Sequence, residues 1–299
     1  MKKQTVICKQ GTIDLGIVES NPVVFQNELY RFEYIRCGRS GYPDNHSGDS
    51  YFRFVRVRDN AILPPFGKGL HLGNAFVWQN RIFVTAVEGW GKSRFYQLES
   101  DDMLHWSEPR VILEHPSWQG YNTSLCRGKE DFILTFELGA PAELVHVPFT
   151  MFFARSKDLK QWEFLEDCSF GRDFYTGGSM LRYFSPWFYF FYLHGSYQDG
   201  FQEYVARSQN LQQWENSALN PILSCDEADR KIAAKFNPAR IQLIHSAINI
   251  NNSDMDCCEW QNRLYMLYSW GNQRGCEFLA WAEAETTEQE FCESFWPQE

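Results

Sequence analysis

Asn251–Gly275 reads NNSDMDCCEWQNRLYMLYSWGNQRG. Two acids, Asp254 and Asp256, stand at the head of an apolar run. Gln261-Asn262 offers a tight reversal, Leu264–Tyr268 is a second strand-like run, and Gly271 closes the unit. The same plan recurs at Asn21 (NPVVFQNELY) and at Asn74 (NAFVWQNRIF). Looser copies begin at Asn122 (NTSLCRGKEDFILTFELG) and Gly178 (GSMLRYFSPWFYFFYLHG). Asn21, Asn74, Asn122, Gly178 and Asp256 thus mark five copies of one unit, about fifty residues apart with a wider gap before the last. A repeat at that period decides the architecture before any single element does.

Each pair of strands is followed by a third: Tyr51–Val57, Arg94–Leu98, Thr150–Ala154, Glu203–Ala206 and Cys276–Trp281. Three of these lead into a shared phrase, ESDDMLHWSE, RSKDLKQWEF and RSQNLQQWEN. Its Ser with Asp or Asn suits a capped turn, and its apolar residues (Leu104/Trp106, Leu159/Trp162, Leu211/Trp214) are expected to pack back onto the sheet. Edge strands follow at Arg110–Leu113, Glu163–Leu165 and Pro221–Leu223. Four antiparallel strands repeated around a ring make a propeller, which leaves only short, protected edges. The expected fold is therefore all-β: a single five-bladed β-propeller over residues 1–299, built of four-stranded antiparallel blades. The segment Thr5–Val18 precedes the first unit and is expected to add an outer strand to the last, closing the ring. Ser40–Ser50 (SGYPDNHSGDS) reads as a long loop, and Asp226–His245 as the one helical insertion, interrupted at Pro238.

Composition narrows the function. Aromatic residues make up 17% of the 299, enough for a large core, and the formal net charge is -10. No basic run is present to neutralise phosphates, which argues against a nucleic-acid partner. No apolar run is long enough to span a bilayer, and no apolar stretch follows the first lysines as an export signal would require. Nine cysteines are scattered through apolar runs, and the adjacent Cys257-Cys258 is not a zinc-ligand spacing. Reduced thiols in a cytoplasmic protein are expected.

The five slots and the Ser-x-Asp-Leu-x-x-Trp phrase together resemble the five-bladed propeller glycoside hydrolases, the clan containing families 43 and 32. The resemblance covers nearly the whole chain as architecture and implies hydrolysis of a glycosidic bond. Those families usually carry Asp at the first slot, Asp at the third and Glu at the fourth. Here the positions hold Asn21, Asn122 and Gly178, so the usual base, helper and acid do not carry over.

Other carboxylates remain. In a blade, the start of the first strand and the end of the second lie on one face. That places Asn21, Asn74, Asn122 and Asp256 on one rim of the channel, with Glu33, Glu88, Glu137, His194 and Trp270 at the second-strand ends. His71 stands three residues before its slot. Carboxylates and amides bind hydroxyl pairs and Trp stacks on a sugar ring, so the set suits a small carbohydrate. Glycosidases need two carboxyl groups flanking the scissile bond, one of them protonated. Glu137 and Asp256 are the first choices for that pair, with Glu88 and Asp254 behind them. The remaining residues, Asn21, Glu33, His71, Asn74, Asn122, His194 and Trp270, are candidates for substrate contact. No cofactor is required, and the acids leave room for a structural Ca2+ in the channel. Because the slot carboxylates are missing, a non-catalytic carbohydrate-binding propeller stands as the alternative. A protein-interaction scaffold is disfavoured, because the unusual polar residues gather at the blade starts and not on the outer faces.

Overall fold

The computed structural model describes residues 5–36, 49–147, 149–273 and 277–296. After β1 (Cys8–Leu15), the chain forms four consecutive sheets. The first holds β2 (Ser20–Phe25), β3 (Glu28–Ile35) and β4 (Tyr51–Arg56). The second holds β5 (His71–Trp78), β6 (Arg81–Val87), β7 (Arg94–Ser100) and β8 (Arg110–Glu114). The third holds β9 (Gly120–Arg127), β10 (Phe132–Leu138), β11 (Thr150–Ser156) and β12 (Glu163–Phe170). The fourth holds β13 (Gly178–Phe184), β14 (Trp187–Ser196), β15 (Gly200–Ser208) and β16 (Glu215–Asn216). The fifth sheet, in the order β1, β19 (Glu277–Ala284), β18 (Arg263–Gly271), β17 (Asn251–Trp260), takes its outer strand from the start of the chain and closes the ring. All pairings between these strands are antiparallel, so the molecule is the expected five-bladed propeller.

Local chemistry explains the repeat. Gln26-Asn27, Gln79-Asn80 and Gln261-Asn262 each place two successive residues at positive φ, near 50° and 60°. Two such residues make the tight turn whose twist matches the flanking strands, and Asn tolerates that region better than most side chains. In the shared phrase, Asp102, Asp158 and Asn210 each accept two backbone N–H bonds from the following turn. The turn then drives an apolar residue inward: Met103, Leu159 and Leu211, all buried at positive φ. In the first copy that residue is Met103 and not Leu104, which is 51% exposed. The expected pairing was off by one because the extra apolar Leu104 disguised the register. The tryptophans pack between blades. Trp106 stacks 3.7 Å from Phe66 of the first blade, and Trp214 lies 5.7 Å from Phe153 of the third.

Three features differ from the sequence expectation. The first blade has three named strands. Its outer edge is supplied by single bridges from Ile62 to Val55 and from Phe66 to Phe52. Helix is also not confined to the insertion: α1 (Ala142–Val145) is one turn, and α3 (Glu288–Glu293) follows the last blade. Thr287 and Glu290 cap α3 reciprocally, so the local chemistry favours a helix start there. Within the insertion, Glu227–Arg230 is a 3-10 turn and α2 (Pro238–Ser246) is a separate helix. Pro238 starts α2, with Asn237 as its cap, because the missing N–H costs nothing at a helix's first position. The expected loop at Ser40–Ser50 lies, up to residue 48, outside the described residues. Cys8, Cys126, Cys168, Cys225, Cys257, Cys258 and Cys292 are free, and Cys37 and Cys276 lie outside the described residues. No helix among the described residues is long and apolar enough to cross a membrane.

Candidate active site

The first strands β2, β5, β9, β13 and β17 line the channel. A narrow cavity of about 30 Å³ opens where they begin, walled by Glu19, Asn21, Asn74, Asn122, Asp254 and Asp256 among others. A second cavity of about 290 Å³ lies farther along the same strands. Asn21, Asn74 and Asp256 line both and so form the floor between them.

That floor is structural. The Asn21 amide donates to the Ala75 carbonyl and accepts from the Ala75 N–H, tying the first blade to the second. Asp256, the charged slot residue, accepts from Arg182 Nη2 at 2.6 Å, from Asn74 Nδ2 at 3.1 Å and from the Cys257 N–H. Arg182 also donates to Glu288 of α3 and to two backbone carbonyls. Burial works against the Arg182 charge, but Asp256 and Glu288 outweigh it and hold its pKa well above the ordinary value. Asp256 therefore neutralises a buried guanidinium that joins the second, fourth and fifth blades. Burial still raises the Asp256 pKa, against Arg182, Asn74 and the Cys257 N–H. As a first choice for the acid/base pair it falls behind Glu137, because its carboxylate is engaged by the Arg182 guanidinium. Among the described residues, no three His, Cys, Asp or Glu side chains gather as metal ligands.

Glu137 is different. It ends β10, is 2% exposed, and makes no ion pair among the described residues with a basic side chain. It accepts from the Gly178 N–H and, at 3.3 Å to each oxygen, from Asn122 Nδ2. Gly178 is the fourth slot, and the Glu137 carboxylate approaches its backbone closely from the neighbouring blade. A Cβ at 178 would stand 2.5 Å from the Met151 methyl and 3.5 Å from Glu137 Oε1. Burial pushes the Glu137 carboxyl up to about 8; the Gly178 and Asn122 bonds only partly offset it, and the Asp254 charge adds to the rise. Glu137 is thus a carboxylic acid that keeps its proton at neutral pH.

Asp254 faces the same cavity from a bulge in β17, where the register with β18 shifts between Ser253 and Asp256. Its backbone is left-handed, at φ 54°, a conformation rare for a strand residue and one that re-aims the side chain. Burial and then the Glu19 charge raise its pKa to about 6, against the hydroxyls of Ser253 and Ser269 and the charge of Arg36. Glu19 was not singled out in the sequence, yet it lines the cavity and pairs with Arg36. The signal was present: Glu19 precedes slot Asn21 by the same two residues that separate Asp254 from Asp256.

The other candidates lie elsewhere, and each has a local reason. Glu88 is at the surface, with Arg94 at 3.6 Å, since the strand ends one residue too early to aim it inward. Glu33 is fully buried between Arg31 and Arg53, and Arg53 reaches Asp14 of β1 at 3.9 Å, so this cluster staples the first blade to the last. Trp270 is 0% exposed, stacks on Phe278 and donates to Thr12 Oγ1; β1 covers the face expected to be an open sugar platform. His194 packs among Phe174 and Tyr204, away from the cavity. His71 stays near the rim, with Nδ1 2.6 Å from Tyr34 Oη, and burial lowers its pKa. The sequence candidates the structure brings together are Asn21, Asn74, Asn122, Glu137, Asp254 and Asp256.

A protonated Glu137 makes a pH-stability signature. Its folded pKa, about 8, lies above its ordinary value of 4.5. The stability this contributes is therefore full below the lower value and is lost as pH rises toward the upper one. Glu137→Gln has no proton to lose, so its melting temperature relative to the unchanged protein should climb between roughly pH 5 and pH 8. Thermal melts of both proteins across that window check this; a constant difference would contradict it.

In sequence the chain matches no protein-family profile and no curated protein. In structure it superposes on an α-L-arabinofuranosidase from Podospora anserina, in complex with cellotriose, at TM-score 0.61, covering 96% of this chain and 99% of that one at 7% identity. The β-1,2-mannobiose phosphorylase of Listeria innocua gives TM-score 0.59 over 97% of this chain and 96% of that one, at 11% identity. A xylan β-1,4-xylosidase from Bacillus halodurans gives TM-score 0.59 over 96% of this chain at 13% identity, and only 55% of that longer protein is covered. The fold is the five-bladed propeller found in glycoside hydrolases of families 43 and 62. At such identities the likeness is one of fold.

Proposed function

We propose that this propeller, whose fold is that of glycoside hydrolases, hydrolyses a small oligosaccharide in its axial funnel. Glu137 serves as general acid and Asp254 as the carboxylate that activates water or stabilises the sugar cation. The observation that carries the reading is the pairing itself. The Asp254 charge helps raise Glu137, and the two carboxyl groups are held at different pKa values, about 8 and about 6. Asp254 lines the small cavity, and Glu137 stands behind Asn122 and Gly178, which line it too. An acid that stays protonated near a carboxylate that does not is what glycosidic cleavage requires. Burial raises both; among the described residues no cation offsets it at Glu137, whereas Arg36 restrains Asp254. Asn21 and Gly178 replace carboxylates at the slots without supplying a proton, so the work falls to these two.

The test is a panel of aryl glycosides and of short xylo-, cello- and manno-oligosaccharides, suggested by the sugars bound or cleaved by the superposed proteins. Hydrolysis should show a bell-shaped kcat/KM. It should fall below about pH 6 as Asp254 gains a proton and above about pH 8 as Glu137 loses one. A profile flat across that range, with hydrolysis present, would remove this pair from the mechanism. A second reading, a propeller that binds carbohydrate without cleaving it, is favoured by the non-carboxyl slots Asn21, Asn122 and Gly178 and by the deep burial of Glu137. Saturable binding of the panel with no hydrolysis would decide for it.

A further inference from the structure

The funnel mouth has two unlike walls. Over the second, third and fourth blades, five aromatic rings follow one another around the rim. Trp90 lies 6.1 Å from Tyr121, Tyr121 4.8 Å from Phe149, Phe149 5.2 Å from Tyr175, and Tyr175 5.9 Å from Tyr197. Trp90 and Tyr197 follow second strands, Tyr121 and Tyr175 stand at or just before the start of first strands, and Phe149 precedes the third strand β11, all toward the face on which the small cavity opens. Over the fifth and first blades the wall is polar: Asp254, Glu19 and Arg36.

The aromatic wall is open to solvent at both ends. Trp90 is 51% exposed and Tyr197 52%, among the few large apolar side chains so placed. Trp90 is held in position: the Arg36 guanidinium lies 5.4 Å over its ring, and its Nε1–H donates to Tyr34 Oη at 3.4 Å. Gly91 keeps the Trp90–Tyr121 gap clear. It sits at φ 63°, and a Cβ there would stand 3.1 Å from the Tyr121 hydroxyl. The middle of the arc reaches the acids. Besides burial, the Glu137 charge raises the phenols of Tyr121 and Tyr175, and Asp254 also acts on Tyr175. A row of rings, exposed at its two ends and packed edge-to-face between them, against a hydrogen-bonding wall suits a ligand with apolar faces and hydroxyl edges. A chain that repeats such faces uses the whole row.

We infer that the Trp90–Tyr121–Phe149–Tyr175–Tyr197 arc is a stacking shelf for a linear, uncharged oligosaccharide, with its hydroxyl edges toward Glu19, Arg36 and Asp254. The inference rests on the carbohydrate reading above, and it adds that the ligand is an extended chain longer than the cavity and not a single sugar. Two acids and one arginine on the polar wall leave that wall net negative, so an anionic chain would be disfavoured.

The test uses the full chain and a graded ladder of xylo-, cello- and manno-oligosaccharides of two to five units, with binding measured by calorimetry. Affinity should rise with chain length for one sugar series. In Trp90→Ala and Tyr197→Ala, whose side chains are half exposed, melting temperatures should hold. Affinity for the longest member should fall at least tenfold, and for the disaccharide by less. Affinity that does not rise with length in any series, equal loss at every length, or no loss in either variant overturns the shelf. Tighter binding of an oligogalacturonide of equal length overturns the uncharged ligand. The two readings fail separately. Length-dependent binding through these rings without any hydrolysis sinks the enzyme and keeps the shelf, whereas hydrolysis with length-independent binding does the reverse.

Discussion

Glu137→Gln should cut turnover of a glycoside with a poor leaving group by a factor on the order of 100 or more. The amide keeps the shape of the carboxyl and can still meet the Gly178 N–H and Asn122 through its oxygen. What it cannot do is deliver a proton to the departing oxygen. Because the buried acid carries no charge at neutral pH, the exchange removes no ion pair, and the fold should tolerate it. The loss should therefore sit in kcat, with KM nearly unchanged. Steady-state kinetics at the pH optimum checks this, and a variant within a few-fold of the original enzyme would exclude Glu137 as the acid.

The second large effect is on stability. Asp256→Asn should destabilise the propeller by on the order of 3 kcal/mol, the usual cost of taking one partner from a buried ion pair. For a chain of 299 residues that is roughly a 5 °C drop in melting temperature. Arg182 would keep Glu288 at 2.5 Å, but its other contact, at 2.6 Å in the channel, would be neutral. The same variant, assayed well below its melting temperature, should turn over substrate within several-fold of the original per folded molecule. A normal melting temperature with a collapsed turnover would return Asp256 to the chemistry.

Asp256 also shows where sequence reading reaches and where it stops. Its position was legible, since the apolar strand, the Gln-Asn turn and the second strand fix the slot by local chemistry alone. So were the Asp- and Asn-capped turns, because each depends on residues a few positions apart. The ring closure, which pairs Cys8 with Glu283, was legible from the repeat, which leaves Thr5–Val18 ahead of the first unit. The partner was not legible. Arg182 lies in another blade, in a copy whose slot is a glycine, and nothing local to GSMLRYF says that its arginine crosses the channel. Burial of Trp270 and Glu33 was hidden for the same reason: β1 and Arg53 cover them from outside their own hairpins. Glu137 was legible as a strand-end acid, but its burial without an ion pair among the described residues is a property of the assembled ring. Glu19 repeats the spacing of Asp254, two residues ahead of its slot, a signal carried by the residues before the slots and not by the slots themselves.

If Glu137 hands a proton to the leaving group, the leaving group itself reports on it. For the best sugar of the panel, turnover by Glu137→Gln should be compared between a dinitrophenyl glycoside, whose leaving group needs no proton, and the corresponding natural disaccharide. The variant should keep most of the original rate on the first and lose on the order of 100-fold on the second. Equal losses on both substrates would contradict it, and so would equal retention.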